Sequence, residues 1–143
     1  MGGHRYEIHR TFGVAPDVVW KLVSDHEAYR DWTALTASRL EEEGHPHRDG
    51  VGALRFLGVG RIGSRERVVE FDPPRHLAYT IEGGVPVKGY RADVRLTPRA
   101  DGGTDLVWAG GFDSAPPGLA PLLLVMLRAA VSDFVRRMGK VLG

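Results

Sequence analysis

The sequence predicts an α+β fold in which a curved antiparallel sheet packs against one long C-terminal helix. Towards the C-terminus, apolar residues recur at helical spacing over residues 117–142. Towards the N-terminus, residues 15–25 form a short amphipathic segment that opens with alanine, proline and aspartate. Most of the chain between these segments reads as β-strands separated by turns. A long helix across a curved sheet usually leaves a cavity, so the sequence predicts a container for a small apolar molecule.

One strand and two short helices are predicted at the start of the chain. Apolar and polar residues alternate over residues 6–12, which is typical of a strand. A helix follows from about Pro16, because proline is favoured in a first turn and Asp17 complements the helix dipole. A second short helix, capped by residues 24–25, is expected to end near Trp32.

Six further strands are expected, because glycine and proline turns recur at regular intervals with no helix between them. Pro73 and Pro74, for example, fix the backbone angle φ and lack the amide hydrogen that a strand interior needs. This spacing favours an antiparallel sheet of seven strands in total. The six predicted strands cover residues 34–43, 51–57, 62–72, 76–82, 88–97 and 104–113.

The last predicted helix is long enough to cross the whole sheet, since it would extend for roughly 35–40 Å at about 1.5 Å per residue. Charged residues occupy much of one side, and the apolar side is expected to form a wall of the cavity. The apolar positions are Leu123, Leu124, Leu127, Val131, Phe134, Val135, Met138 and Leu142.

Composition restricts the classes of function. The length of 143 residues suits a single domain over residues 1–143. A formal net charge of +1 is too small to indicate a nucleic-acid partner. Cysteine is absent, which excludes disulfides and thiol nucleophiles and fits a cytoplasmic location. The longest apolar run, residues 118–127, is about half the ~20 residues of a membrane-spanning helix, so no integral membrane segment is expected.

No metal or cofactor site is predicted. His45 and His47 lie in a turn and have no third ligand at a stable spacing. His26 is interpreted as a residue of a surface turn. The glycine string at residues 58–63 lies in a predicted hairpin, whereas a glycine-rich phosphate loop needs a helix directly after it.

Motifs along nearly the whole chain resemble those of one protein superfamily. They lie at residues 15–25, 29–32, 51–56, 66–79, 89–98 and 103–108. These segments resemble bacterial polyketide cyclase/dehydrase-like proteins of the START and pollen-allergen superfamily, also called SRPBCC. The resemblance implies a helix-grip fold: a curved seven-stranded antiparallel sheet wrapped around a long C-terminal helix, with two short helices after strand 1. It does not imply one function, because a shared fold serves several.

The superfamily pattern places Arg55 and Glu66 on the inner face of the third and fourth strands. The hairpin at residues 58–63 predicts a register that pairs residue 57 with residue 64, and therefore Arg55 with Glu66. As tentative catalytic residues, Arg55 would polarise a ligand carbonyl or bind a carboxylate, and Glu66 would transfer a proton. Two alternatives stay open: a structural ion pair on the inner face, or an outward-facing pair after a one-residue slip.

Candidate ligand-binding residues follow from the same assignment of strand faces. Tyr79 and Tyr90 each combine apolar area with one directed hydrogen bond, and Trp32 and Trp108 offer aromatic surface. A role in the ordinary core stays open for each of them. The predicted set is Trp32, Leu57, Tyr79, Tyr90, Trp108, Phe112, Leu124, Leu127 and Val131.

Three functions are consistent with these features. The first is binding of a small hydrophobic or aromatic, oxygen-bearing molecule in a cavity between the sheet and the C-terminal helix. The second is a polyketide cyclase, aromatase or dehydratase that acts on a poly-carbonyl chain by orientation and acid/base catalysis. The third is a co-chaperone-like interaction module that uses an apolar surface near residues 116–122. The expected partner is a small hydrophobic molecule, no cofactor is expected, and both a monomer and a homodimer stay open.

Overall fold

The computed structural model describes residues 3–143, which form one antiparallel sheet of seven strands. The strands are β1 (His4–Phe12), β2 (Ala37–Glu42), β3 (Leu54–Val59), β4 (Ile62–Asp72), β5 (His76–Gly83), β6 (Arg91–Pro98) and β7 (Thr104–Phe112). Their order in the sheet is β1-β7-β6-β5-β4-β3-β2, so the first strand pairs with the last and every other neighbour is a hairpin or a short connection.

Within residues 3–143, three α-helices accompany the sheet. They are α1 (Pro16–Ser24), α2 (Tyr29–Trp32) and α3 (Ala120–Leu142), and a 3-10 turn at His26–Ala28 joins the first two. The predicted helix-grip fold is therefore confirmed, including the two short helices after β1 and the long C-terminal helix. None of the helices in this part of the chain is long and apolar enough to cross a membrane.

Several predicted boundaries differ from the observed ones, and three of the differences have local reasons. Helix α3 begins at Ala120 rather than at residue 117, because Gly118 has a φ of 79°, which interrupts a right-handed helix. Strand β6 begins at Arg91 rather than at residue 88, because Gly89 has a φ of 71° and turns the chain. Strand β2 begins at Ala37, after a loop closed by local side-chain hydrogen bonds.

The hairpin of β3 and β4 has the register that the sequence predicted. Leu57 pairs with Ser64 and Arg55 pairs with Glu66. Further along, the register between β4 and β5 shifts twice, once between Arg65 and Glu66 and again beyond Val68. Such irregularities bend a strand and increase its twist, so they help β4 to curve around the space beneath the sheet.

The two halves of α3 have different environments. The C-terminal half is anchored in the core by Val135 and Met138, which are buried, and packs against β1. In the N-terminal half, Leu123 is buried, whereas Leu122 and Val125 are exposed. The helix therefore closes the core at one end and borders an open space at the other.

Candidate functional site

A cavity of about 300 Å³ lies between the N-terminal half of α3 and strands β3 to β5. The helix supplies an apolar wall, and the hairpin of β3 and β4 supplies most of the opposite one. The helical residues that line the cavity are Leu123, Met126, Leu127, Ala130, Val131 and Phe134. Three apolar residues at the mouth, Val59, Ile62 and Met126, are 58%, 83% and 56% exposed.

One end of the cavity is polar, and Glu66 is its central group. Its Oε1 accepts a hydrogen bond from Nη2 of Arg55 at 3.0 Å, and its Oε2 accepts one from the hydroxyl of Ser64 at 2.9 Å. Glu66 and Ser64 both line the cavity. The side chain of Arg55 is only 1% exposed, against 11% for Glu66, so the carboxylate lies between the guanidinium and the cavity.

Arg55 is held in place from three sides. Besides its bond to Glu66, Nη1 lies 3.0 Å from Nδ1 of His26 and also contacts Nε2. Its guanidinium carbon lies 4.8 Å from the ring centroid of Tyr79, within cation–π range. Burial and the neighbouring Arg55 hold the pKa of His26 well below its usual range, so a neutral imidazole accepts the hydrogen bond.

Three phenols extend the polar end into the core. The hydroxyls of Tyr6 and Tyr90 are 2.5 Å apart, and Nε1 of Trp108 donates to the hydroxyl of Tyr79 at 3.1 Å. Burial raises the pKa of Tyr6 to about 12 and raises the pKa values of Tyr79 and Tyr90 as well. All three side chains therefore stay neutral and present hydroxyls rather than phenolates.

The structure brings together about half of the residues that the sequence predicted as a site. Arg55 contacts Glu66 but lies outside the cavity wall, since its side chain is 1% exposed and its two Nη atoms are bonded to Glu66 and His26. The predicted site residues that line the cavity are Leu57, Glu66, Tyr79, Tyr90, Leu127 and Val131.

Four predicted ligand-binding residues are not part of the cavity wall. Trp108 is buried beneath it, and Trp32 packs behind the lining residue Phe134, with ring centroids 6.2 Å apart. Phe112 lies at the far end of β7, where it stacks on the ring of His4. Leu124 is partly buried against the core, beside the lining residue Leu123. On β7, alternation correctly predicted that Trp108 and Phe112 face inward. The inward face of the sheet is larger than the cavity, so an inward residue need not line it.

Sequence reasoning missed the position of His26, and it left Phe134 out of the predicted ligand-binding set although it named Phe134 among the apolar positions of the last helix. The expectation that His26 occupies a surface turn is wrong: the side chain is fully buried, because the turn between α1 and α2 packs against β2 and the imidazole reaches Arg55. No local pattern distinguishes such a histidine from an exposed one. Phe134 was accessible to prediction, since it follows Leu127 and Val131 at helical spacing on α3.

Solved structures with the same fold cover nearly the whole chain. A START superfamily protein from Mycobacterium smegmatis aligns with a TM-score of 0.81 at 14% identity, covering 98% of this chain and 97% of that one. Ara h 8.0201 aligns with a TM-score of 0.79 at 16% identity, covering 97% of each chain. A protein from Thermobifida fusca aligns with a TM-score of 0.78 at 24% identity, covering 98% and 93%. These similarities establish the fold.

Family membership rests on the sequence itself. No curated protein sequence is significantly similar to this chain. The sequence model of one family, described as polyketide cyclase / dehydrase and lipid transport, matches residues 3–142. That range includes every strand of the sheet, the hairpin that carries Arg55 and Glu66, and helix α3. The chain therefore belongs to the polyketide cyclase / dehydrase and lipid transport family, and its fold is that of the START-like SRPBCC superfamily.

Proposed function

We propose that the protein binds a small hydrophobic, oxygen-bearing molecule in the cavity beneath α3. The observation that carries this proposal is the combination of an apolar lining with a single polar end at Glu66 and Tyr90. Ligand sites in proteins have this composition: mostly apolar walls with a few polar groups that fix orientation. A volume of about 300 Å³ is near the lower end of the usual range, which favours a compact molecule over a long acyl chain.

A pair of alanines on α3 allows a direct test of this binding function. Both residues are exposed, but only Ala130 lines the cavity, and its neighbour Ala129 is not part of the wall. Calorimetric titration with 2-naphthol, a compact neutral aromatic probe, should give saturable binding to the wild-type protein. Ala130→Phe should weaken binding at least about tenfold, because the added ring occupies cavity volume, and Ala129→Phe should leave it unchanged. Equal affinities for the two variants would place the site elsewhere.

A second candidate function is cyclisation of a poly-carbonyl chain, and the polar end of the cavity favours it. Glu66 would act as the proton acceptor, and the Tyr90 hydroxyl would donate to a ligand carbonyl. Arg55 would act only through Glu66, because it does not line the cavity. Holding the chain in one folded shape would supply much of the rate.

Product analysis separates the two candidates. Incubation with a synthetic poly-β-carbonyl thioester should yield a cyclised product with loss of water if the protein is an enzyme. Glu66→Gln should abolish that product, because an amide does not accept the proton. Recovery of the thioester with only its spontaneous products would exclude the cyclase on that substrate and leave the binding function in place.

A further inference from the structure

We propose that the polar end of the cavity selects a neutral hydroxyl group, so that the ligands are phenols or alcohols rather than carboxylic acids. The inference rests on the proposed binding function and adds the chemistry of the ligand's polar group. Three features of the site carry it: the free acceptor capacity of Glu66, the lack of a cationic side chain among the described residues that line the cavity, and the neutrality of the surrounding phenols.

Glu66 has acceptor capacity left over for a ligand. A carboxylate offers about four lone-pair positions. Arg55 uses one position on Oε1 and Ser64 uses one on Oε2, since both groups donate to it. The side chain lines the cavity, so an unused position on the carboxylate is accessible from the cavity. A ligand that donates a hydrogen bond satisfies this acceptor, whereas an ether or a hydrocarbon leaves it without a partner in an apolar space.

A ligand carboxylate would find no cation of its own. Among the cavity-lining residues within 3–143, none is lysine, arginine or histidine. Arg55 is the nearest cation of the polar end, and it is 1% exposed and already donates to Glu66 and His26. A second negative charge beside Glu66 would therefore be desolvated without compensation, which is strongly unfavourable in an apolar cavity.

The neighbouring phenols do not make binding of a ligand carboxylate favourable. The hydroxyl of Tyr90 is paired with that of Tyr6, and the hydroxyl of Tyr79 accepts from Trp108. When Tyr6 is the donor of its pair, the hydrogen of Tyr90 can be donated to a neutral oxygen of a ligand, which allows a ligand with a carbonyl as well as a hydroxyl. Neutral donors do not cancel a full negative charge next to another, so the preference against carboxylates stands.

Three naphthalene derivatives test the inference on the wild-type protein, because they share one ring system and differ in the polar group. The probes are 2-naphthol, 2-methoxynaphthalene and 2-naphthoate, titrated calorimetrically at neutral pH. A hydrogen bond to a charged acceptor is expected to make 2-naphthol bind about 10-fold or more tighter than its methyl ether. 2-Naphthoate is expected to bind at least about 10-fold more weakly than 2-naphthol, because its charge has no partner.

The possible results separate this inference from the proposed function. Equal affinities for the three probes would overturn the hydroxyl selection while leaving cavity binding intact. Tightest binding of 2-naphthoate would also overturn it, by showing that a cation is available. Absence of binding by all three would overturn the proposed function and the inference together.

A substitution provides a second readout. Glu66→Gln replaces the anion with a neutral amide, so the preference for 2-naphthol over 2-naphthoate should shrink at least about fivefold. Glu82→Gln is the matched control, because Glu82 is exposed on β5 and pairs with Arg67 outside the cavity. Its selectivity should equal that of the wild-type protein. A selectivity that Glu66→Gln leaves unchanged would overturn the assignment of Glu66.

Discussion

Replacing Arg55 with methionine tests whether the polar end of the cavity is buried as described. The substitution keeps an unbranched apolar stem, shorter than that of arginine, and removes the cation. It deletes the hydrogen bonds to Glu66 and His26 and the contact with the ring of Tyr79. Glu66 then keeps only the hydroxyl of Ser64 as a partner.

The expected cost follows from burial. Removing one partner of a buried ion pair destabilises a protein by about 3–5 kcal/mol, because the other charge is left without compensation. The lower end of that range applies to Arg55→Met, since Glu66 borders the cavity and its side chain is 11% exposed. A loss of about 3 kcal/mol in the free energy of unfolding corresponds to roughly 10 °C in Tm for a domain of this size.

Urea unfolding followed by tryptophan fluorescence measures this free energy. Two further variants show whether the loss comes from the unpaired charge of Glu66. Adding Glu66→Gln to Arg55→Met should recover about 1–2 kcal/mol, because it removes the charge left unpaired. Arg65→Met is the matched control, since Arg65 is the next residue before Glu66 on β4 but its side chain, which pairs with Glu41, is 48% exposed. That control should cost about 0–1 kcal/mol. If Arg55→Met costs no more than Arg65→Met, then Arg55 and Glu66 do not form a buried ion pair.

Three other predictions concern the buried groups around the cavity. Because burial lowers the pKa of His26, the unfolded chain takes up a proton below about pH 6.5 that the folded protein does not. The free energy of unfolding should therefore fall by up to ~1.4 kcal/mol for each pH unit below that value. His26→Gln should remove that contribution in urea titrations from about pH 7 to pH 5, and an unchanged slope would refute it. All four tyrosines are buried with raised pKa values, so ultraviolet difference spectra of the folded protein near pH 10 should show little phenolate, whereas free tyrosine is half-ionised there. A Cβ on Gly110 would lie 2.5 Å from the hydroxyl oxygen of Tyr6, so Gly110→Ala should cost about 1–3 kcal/mol by overpacking; Gly13→Ala, which meets nothing within 4 Å, should be near neutral in the same unfolding assay.

The register of the β3–β4 hairpin could be predicted because it depends on local features. The glycines of the connection set the turn, and the turn sets which residues lie opposite each other. The pairing of Arg55 with Glu66 follows from this register and is confirmed. The inner face of these two strands was assigned from the superfamily pattern instead, because β3 is buried on successive residues and does not alternate.

The order of Arg55 and Glu66 relative to the cavity could not be predicted from the sequence. Strand pairing brings the two side chains together but does not say which of them faces the ligand. That order depends on His26, which contacts Arg55 from a turn 29 residues away along the chain. Because a histidine in a polar turn usually suggests an exposed position, the sequence contains no signal for this contact.

The extent of the cavity also depends on packing that no local pattern encodes. The apolar face of α3 is continuous from Leu123 to Met138, yet the residues beyond Phe134 do not border the cavity. The difference arises because Val135 and Met138 are anchored in the core, whereas the helix leaves space for a ligand near Leu127. Phe112 faces inward on β7 but lies outside this space, so it is a core residue.

Intermolecular nuclear Overhauser effects show directly whether the cavity beneath α3 holds the ligand. In a complex of 2-naphthol with the wild-type protein, the aromatic protons of the probe should show contacts to the side chains of Tyr90, Leu127 and Val131. Contacts only to exposed residues outside the wall, such as Val18 or Val141, would contradict the account.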